Sequence, residues 1–171
     1  MLALPSLLLA LTAQTASAAN TVRKEGNVGL GLQAGSWTVS GFSLKYFLSD
    51  DFALEGTLGA WRYGGFGISG AALFELPTLA EDEDFDIAWN TGPAVAFGTY
   101  DYGGFDDHYA YNAVAVTAVL GLEMDLNEIP LDIVLEWRPG LYFFSTTEGV
   151  YDDEGANVRF DALGFAIRYY L

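Results

Sequence analysis

The chain has no cysteine and a single histidine, His108, among its 171 residues. Without cysteine there is no disulfide framework, no thiolate metal site and no cysteine nucleophile. One histidine removes most zinc sites and leaves a single candidate for a histidine-based triad. Basic residues are scarce. Seven Lys and Arg stand against 23 Asp and Glu, a net charge of -16, which argues against a nucleic-acid partner. A long apolar helical run is also missing beyond the first residues. Residues 26–44 carry no charge but contain five Gly and three Ser, too many breaks for a spanning helix. What is present is 51% apolar residues, 15% aromatics and 20 Gly. That composition argues against disorder, and the length is that of one domain.

Residues 1–18 read as a secretory signal peptide. The apolar run Leu7–Ala13 is followed by a polar patch and by Ala16-Ser17-Ala18, an A-x-A cleavage pattern. The run is too short for a membrane span. No Lys or Arg precedes it, so the basic part of the leader either lies upstream or is supplied by the amino terminus alone. Cleavage after Ala18 leaves residues 19–171 as one exported domain with no cofactor motif. An exported chain this apolar, without a helical span, points to a β-sandwich, a lipocalin-like barrel or an outer-membrane barrel.

The dominant pattern is period-2 alternation in segments of about ten residues separated by turn signals. The segments are 27–35, 39–48, 51–62, 66–76, 86–100, 110–126, 131–144 and 158–171. They predict eight antiparallel strands in an up-and-down transmembrane β-barrel. Ser49-Asp50-Asp51 and Asn127-Glu128-Ile129-Pro130 read as tight turns, with Pro77 to Phe85 a longer acidic turn on the same side. Gly35 to Thr38 and Tyr63-Gly64-Gly65 are short connections on the other side. There also lie two long loops, Asp101 to Tyr109 and Ser145 to Asn157. Short turns on one side and longer loops on the other match periplasmic and extracellular ends. Pro93 and Pro139 fall within strands and predict bulges or irregular pairing.

Each strand has one bulky apolar face and one face of small residues with isolated charges. Phe42, Leu44, Tyr46 and Leu48 oppose Ser43, Lys45 and Phe47. Leu131, Ile133, Leu135, Trp137, Leu141 and Phe143 oppose Asp132, Val134, Glu136, Arg138, Gly140 and Tyr142. A turn centred on Asp50 sets Lys45 opposite Glu55 and Ser43 opposite Thr57. Small residues and a few charges suit a confined interior, and a continuous bulky band suits lipid. Trp89, Trp137, Tyr46, Tyr169 and Phe143 near strand ends fit aromatic girdles.

The whole mature chain resembles the small eight-stranded outer-membrane β-barrel proteins of the OmpA/OmpX type. The resemblance is carried by Leu44 to Gly56 (LKYFLSDDFALEG), Ile129 to Pro139 (IPLDIVLEWRP) and Phe165 to Leu171 (FAIRYYL). The ending is similar to the C-terminal signal read by the outer-membrane assembly machinery, with Phe165, Ile167, Tyr169 and Leu171 at alternate positions. That signal usually ends in Phe, where this chain has Leu171. The resemblance implies insertion by that machinery into the outer membrane of a Gram-negative-type cell, among lipid and lipopolysaccharide. It implies no catalysis.

The candidate sites follow from the faces. Lys45, Glu55, Glu123, Glu136, Arg138 and Arg168 are expected inside, with Glu75 nearer the periplasmic end, as a paired polar plug. The competing reading of this set is an ion or proton path. Asp101, Asp106, Asp107, Glu148, Asp152, Asp153 and Glu154 form acidic loops that could hold a hard cation through oxygen, although no EF-hand spacing is present. His108, expected in a loop beside Asp106 and Asp107, has no serine within the next two residues, as a lipid A-modifying barrel of the deacylase kind would need. The reading is a structural or surface-interaction barrel. Its rivals are a lipid A-modifying enzyme, a small channel and a soluble periplasmic ligand-binding barrel.

Overall fold

A computed structural model describes residues 22–61, 65–103, 108–147 and 153–171. The expected leader, 1–18, lies outside the described residues. Ten strand segments follow in chain order: β1 Val28–Gly35, β2 Val39–Ser49, β3 Phe52–Trp61, β4 Gly65–Glu81, β5 Phe85–Gly103, β6 His108–Leu126, β7 Leu131–Trp137, β8 Gly140–Thr147, β9 Asp153–Arg159 and β10 Leu163–Tyr170. All pairings are antiparallel. The order runs β5-β4-β3-β2-β1-β10-β7-β6, and β5 also pairs with β6, which closes the ring.

Eight wall positions hold these ten segments, because two walls are interrupted. β7 and β8 pair with β6 in one unbroken register, from Leu126↔Leu131 to Ala110↔Thr147. The break falls at Arg138–Pro139, where proline has no N–H to give to the ladder. The Pro139 carbonyl still accepts from Ala118 N–H at 2.9 Å. β9 and β10 form the last wall. Its register steps by one residue between Gly140↔Arg159 and Trp137↔Leu163, a β-bulge at residues 160–162.

The strands run further than the alternation indicated. β5 and β6 stay paired out to Gly103↔His108, so His108 opens a strand and does not sit in a long loop. β9 likewise takes up Asp153 to Asn157 from the other expected loop. Pro77 lies inside β4, and the acidic turn shrinks to residues 82–84. The β4–β5 register shifts between Leu76 and Ala80, then resumes at Ala80↔Ile87. The strand accommodates Pro77 by this irregularity and does not end there. Pairing also lapses opposite Pro93 but resumes in the same register, from Ala71↔Ala94 to Phe74↔Thr91.

The wall is inverted relative to a water-soluble barrel. Phe42, Leu44, Leu58, Ile68, Val116, Leu135, Leu141, Phe165 and Ile167 are exposed on the outside. Alternate residues on the same strands are buried, and many of them are charged. Inward glycines make room for large neighbours. A Cβ at Gly98 would come within 2.1 Å of the Trp61 ring, and one at Gly29 within 2.6 Å of the Tyr170 ring. Small-opposite-large packing of this kind fills a narrow barrel.

Candidate functional site: the lumen

The two ends of the barrel differ. The turn end carries the turns at Asp50–Asp51, 82–84 and Asn127–Pro130, together with Val22 and Leu171. The loop end carries the turn Ser36–Trp37–Thr38; residues 62–64, 104–107 and 148–152 lie outside the described residues.

Strand parity aims the charged side chains inward, and burial leaves each of them dependent on partners. The structure pairs Lys45 with Glu55 and Ser43 with Thr57 in the β2–β3 ladder. The ion pairs, however, do not follow the ladder. Lys45 Nζ lies 2.8 Å from Glu75 and also pairs with Glu123, which belongs to β6. Glu55 is held by Arg138 and by Arg168, the latter at 2.6 Å. Lys45 and Glu55 are ladder neighbours, and each takes its ion partners from other strands.

Around Glu55 the network is continuous. Arg138 Nε donates to Glu136 at 3.0 Å, and Gln33 donates to the same carboxylate at 3.1 Å. Thr57 Oγ1 donates to Gln33 at 2.6 Å. Arg168 donates to Ser43 at 2.8 Å and lies 3.4 Å from Asp132, which also accepts from Tyr170 Oη at 2.8 Å. A second group lies nearer the turn end. There Lys45 and Arg23 share Glu75 and Glu123, Arg23 also reaches Asp125, and Asn90 donates to Glu123. Lys45 and Arg168 are 0% and 1% exposed. A buried charge stripped of its partner is costly, so such groups hold one another in place.

Sequence reasoning missed Arg23, Asp125, Asp132, Asn90 and Gln33 as members of these groups. Asp125 and Asp132 were already visible by parity, on the same faces as Glu123 and Glu136. Arg23 had no such signal, because it precedes β1 and has no strand face.

Toward the loop end the filling changes. Val39, Trp61, Ala113, Ala115, Tyr142 and Ala162 form a buried apolar cluster, with Trp37, Ala96 and Tyr111 packed against it. Trp37 has φ 58°, a left-handed conformation that costs a bulky residue energy. Its ring meets Tyr142 edge-on at 6.2 Å, and the Arg159 guanidinium lies 3.1 Å from its centroid. Tyr142 Oη donates to the Trp37 carbonyl at 3.1 Å. A cavity of about 100 Å³ remains among Trp37, Trp61, Tyr111, Tyr142 and Arg159.

The acidic loop residues fall only partly within the described residues. Asp101 lies in β5, Asp153 and Glu154 lie in β9, and Asp106, Asp107, Glu148 and Asp152 are outside the described residues. Among the described residues no group of three or more His, Cys, Asp or Glu could hold a metal ion. Phe165, Ile167, Tyr169 and Leu171 all face outward near the C-terminus.

No protein-family model matches the chain, and no curated protein matches it. Among solved structures, it is similar to the N-terminal β-barrel domain of Pseudomonas aeruginosa OprF. The identity is 14% and the TM-score 0.48, over 85% of this chain and 96% of that one.

Proposed function

We propose that this chain is an outer-membrane barrel of the OmpA/OmpX type with a structural or surface-interaction role and no catalysis. One observation carries the reading. The barrel presents its bulky apolar side chains outward around the wall and buries its charges. In water that arrangement would expose a large apolar belt, whereas lipid is its natural solvent. A closed barrel also leaves no unpaired strand edge in the hydrocarbon.

On this reading residues 1–18 are the cleaved leader and the turn end, with both termini, faces the periplasm. Phe165, Ile167, Tyr169 and Leu171 are the signal for the assembly machinery. The interior set Lys45, Glu55, Glu75, Glu123, Glu136, Arg138 and Arg168 is a structural plug. The acidic loop residues Asp101, Asp106, Asp107, Asp152, Asp153 and Glu154 meet cation-bridged lipopolysaccharide. A large apolar ligand cavity, as a soluble barrel would need, does not fit a lumen packed with paired charge in one half and with aromatic rings around a cavity of about 100 Å³ in the other.

Cell fractionation followed by gel electrophoresis with and without boiling tests the reading. The expected result is outer-membrane recovery and a cold, SDS-resistant form that shifts on heating. Recovery from the soluble periplasm without detergent, with no shift, would overturn it.

A further inference from the structure

Arg23 is an interior cation that comes from ahead of the first strand, not from the barrel wall. The segment ahead of β1 brings it to the turn end of the lumen. Val22 is buried there against Phe47, Ala53 and Tyr170. Two nitrogens of the Arg23 side chain donate hydrogen bonds, one to β4 and one to β6, and the third lies near a carboxylate of β6. Nη1 donates to the Leu76 carbonyl at 3.1 Å. Nη2 donates to Glu123 at 2.7 Å and lies 3.4 Å from Glu75. Nε lies 3.3 Å from Asp125. This is the planar, forked recognition that a guanidinium supports and a compact ammonium does not.

The receiving groups belong to the barrel and do not depend on the segment. Without Arg23, Glu75 and Glu123 would keep Lys45 as their ion-pair partner, and Asp125 would lose the cation it pairs with among the described residues. Asn90 Oδ1 and Asp125 Oδ1 are, in addition, buried acceptors without a hydrogen-bond partner. Asn90 is 0% exposed. Arg23 Nε is likewise buried without a hydrogen-bond partner, so the guanidinium does not satisfy every polar group of the compartment. Ahead of Gly26 the segment's backbone bonds the barrel through Glu25 N–H on the Asp50 carboxylate at 2.9 Å, while the Lys24 and Val22 carbonyls accept from Asn27 within the segment at 3.0 and 3.2 Å.

We propose that the turn end of the lumen is a guanidinium-binding site, and that Arg23 fills it from the chain's own N-terminal segment as a detachable stopper. The ligand class is a guanidinium group, supplied here in cis and open to replacement by a free guanidinium or an arginine side chain of a partner. The inference does not depend on the membrane assignment, since it concerns only the lumen.

The test exploits the absence of native cysteine. Ala53→Cys places one thiol beneath Val22, and its labelling by a cationic methanethiosulfonate reagent is timed in detergent-refolded protein. Adding Arg23→Ala is expected to speed labelling by about tenfold or more, because removing a buried ionic partner costs more than the equivalent of one decade. Methylguanidinium at millimolar concentration should slow it again, and methylammonium at equal ionic strength should not. Equal rates with and without Arg23 would overturn the stopper. Faster labelling that methylguanidinium leaves unchanged, or that methylammonium slows equally, would overturn the guanidinium site. Cold and boiled gel mobility reports whether each variant is folded. If Arg23→Ala does not fold, Arg23→Lys serves in its place, and it too should label faster and respond to methylguanidinium.

Discussion

Around Glu55 and Glu75 the lumen is filled with charge, and around Trp37 and Trp61 with rings. Toward the turn end, Lys45, Arg168 and Arg138 are locked among Glu55, Glu75, Glu123, Asp132 and Glu136. Toward the loop end, Trp37, Trp61, Tyr111 and Tyr142 pack with alanines and leave a cavity of about 100 Å³. The difference lies in how each half tolerates loss. A buried ion that loses its partner has no water to turn to. A ring that loses a neighbour leaves a void that packing can partly close. The charged half is thus the stricter of the two, and the aromatic half has room to adjust.

The largest effect expected is in the charged half. Arg168→Met leaves Glu55 with Arg138 alone and leaves Asp132 without its cation. It should cost about 3–5 kcal/mol, read from the urea midpoint of folding into lipid vesicles. A loss no greater than that of a surface substitution would break the comparison. Moving charge to the other face of the same wall comes next. Leu135→Arg puts a cation on the outward belt, where a midplane arginine costs about 2–4 kcal/mol. The penalty should appear in lipid and shrink in detergent of shorter chain. Within the aromatic half, Gly98→Ala drives a methyl into the Trp61 ring. Overpacking of this kind costs about 1–3 kcal/mol, and the Trp61 environment should change in near-ultraviolet circular dichroism. Smallest is Arg159→Ala. Arg159 is partly exposed and stacks on Trp37, so about 0.5–1 kcal/mol is expected, with a shift in tryptophan emission that Arg159→Lys reduces.

The sites were only partly legible in the sequence. Parity placed Lys45, Glu55, Glu123, Glu136, Arg138 and Arg168 on one face, since a strand turns over every second residue. A turn centred on Asp50 gave the ladder neighbours of Lys45. Neither reading could give its ion partners, Glu75 and Glu123. Those carboxylates lie on β4 and β6, and they come within reach of Lys45 only when the sheet closes and the strands stagger around the axis. Arg23 was invisible for a related reason. It is placed by a segment with no periodicity and acquires its role from where that segment folds.

Strand ends were the other weak point. Asp101, Asp153 and the residues around Pro77 carry loop-type chemistry, yet they pair as strands because their neighbours across the sheet continue. Polar composition reports on local preference, while pairing depends on the partner strand.

By itself, then, the sequence determined the repeating two-sided strands, their approximate number and order, and which residues share a face. All of these depend on alternation and turns between near neighbours. The tertiary structure alone decided which carboxylate holds which cation, where the wall bulges, and that Arg23 reaches the lumen from outside the sheet. Those depend on closure of the ring, which brings into contact groups that no local pattern connects.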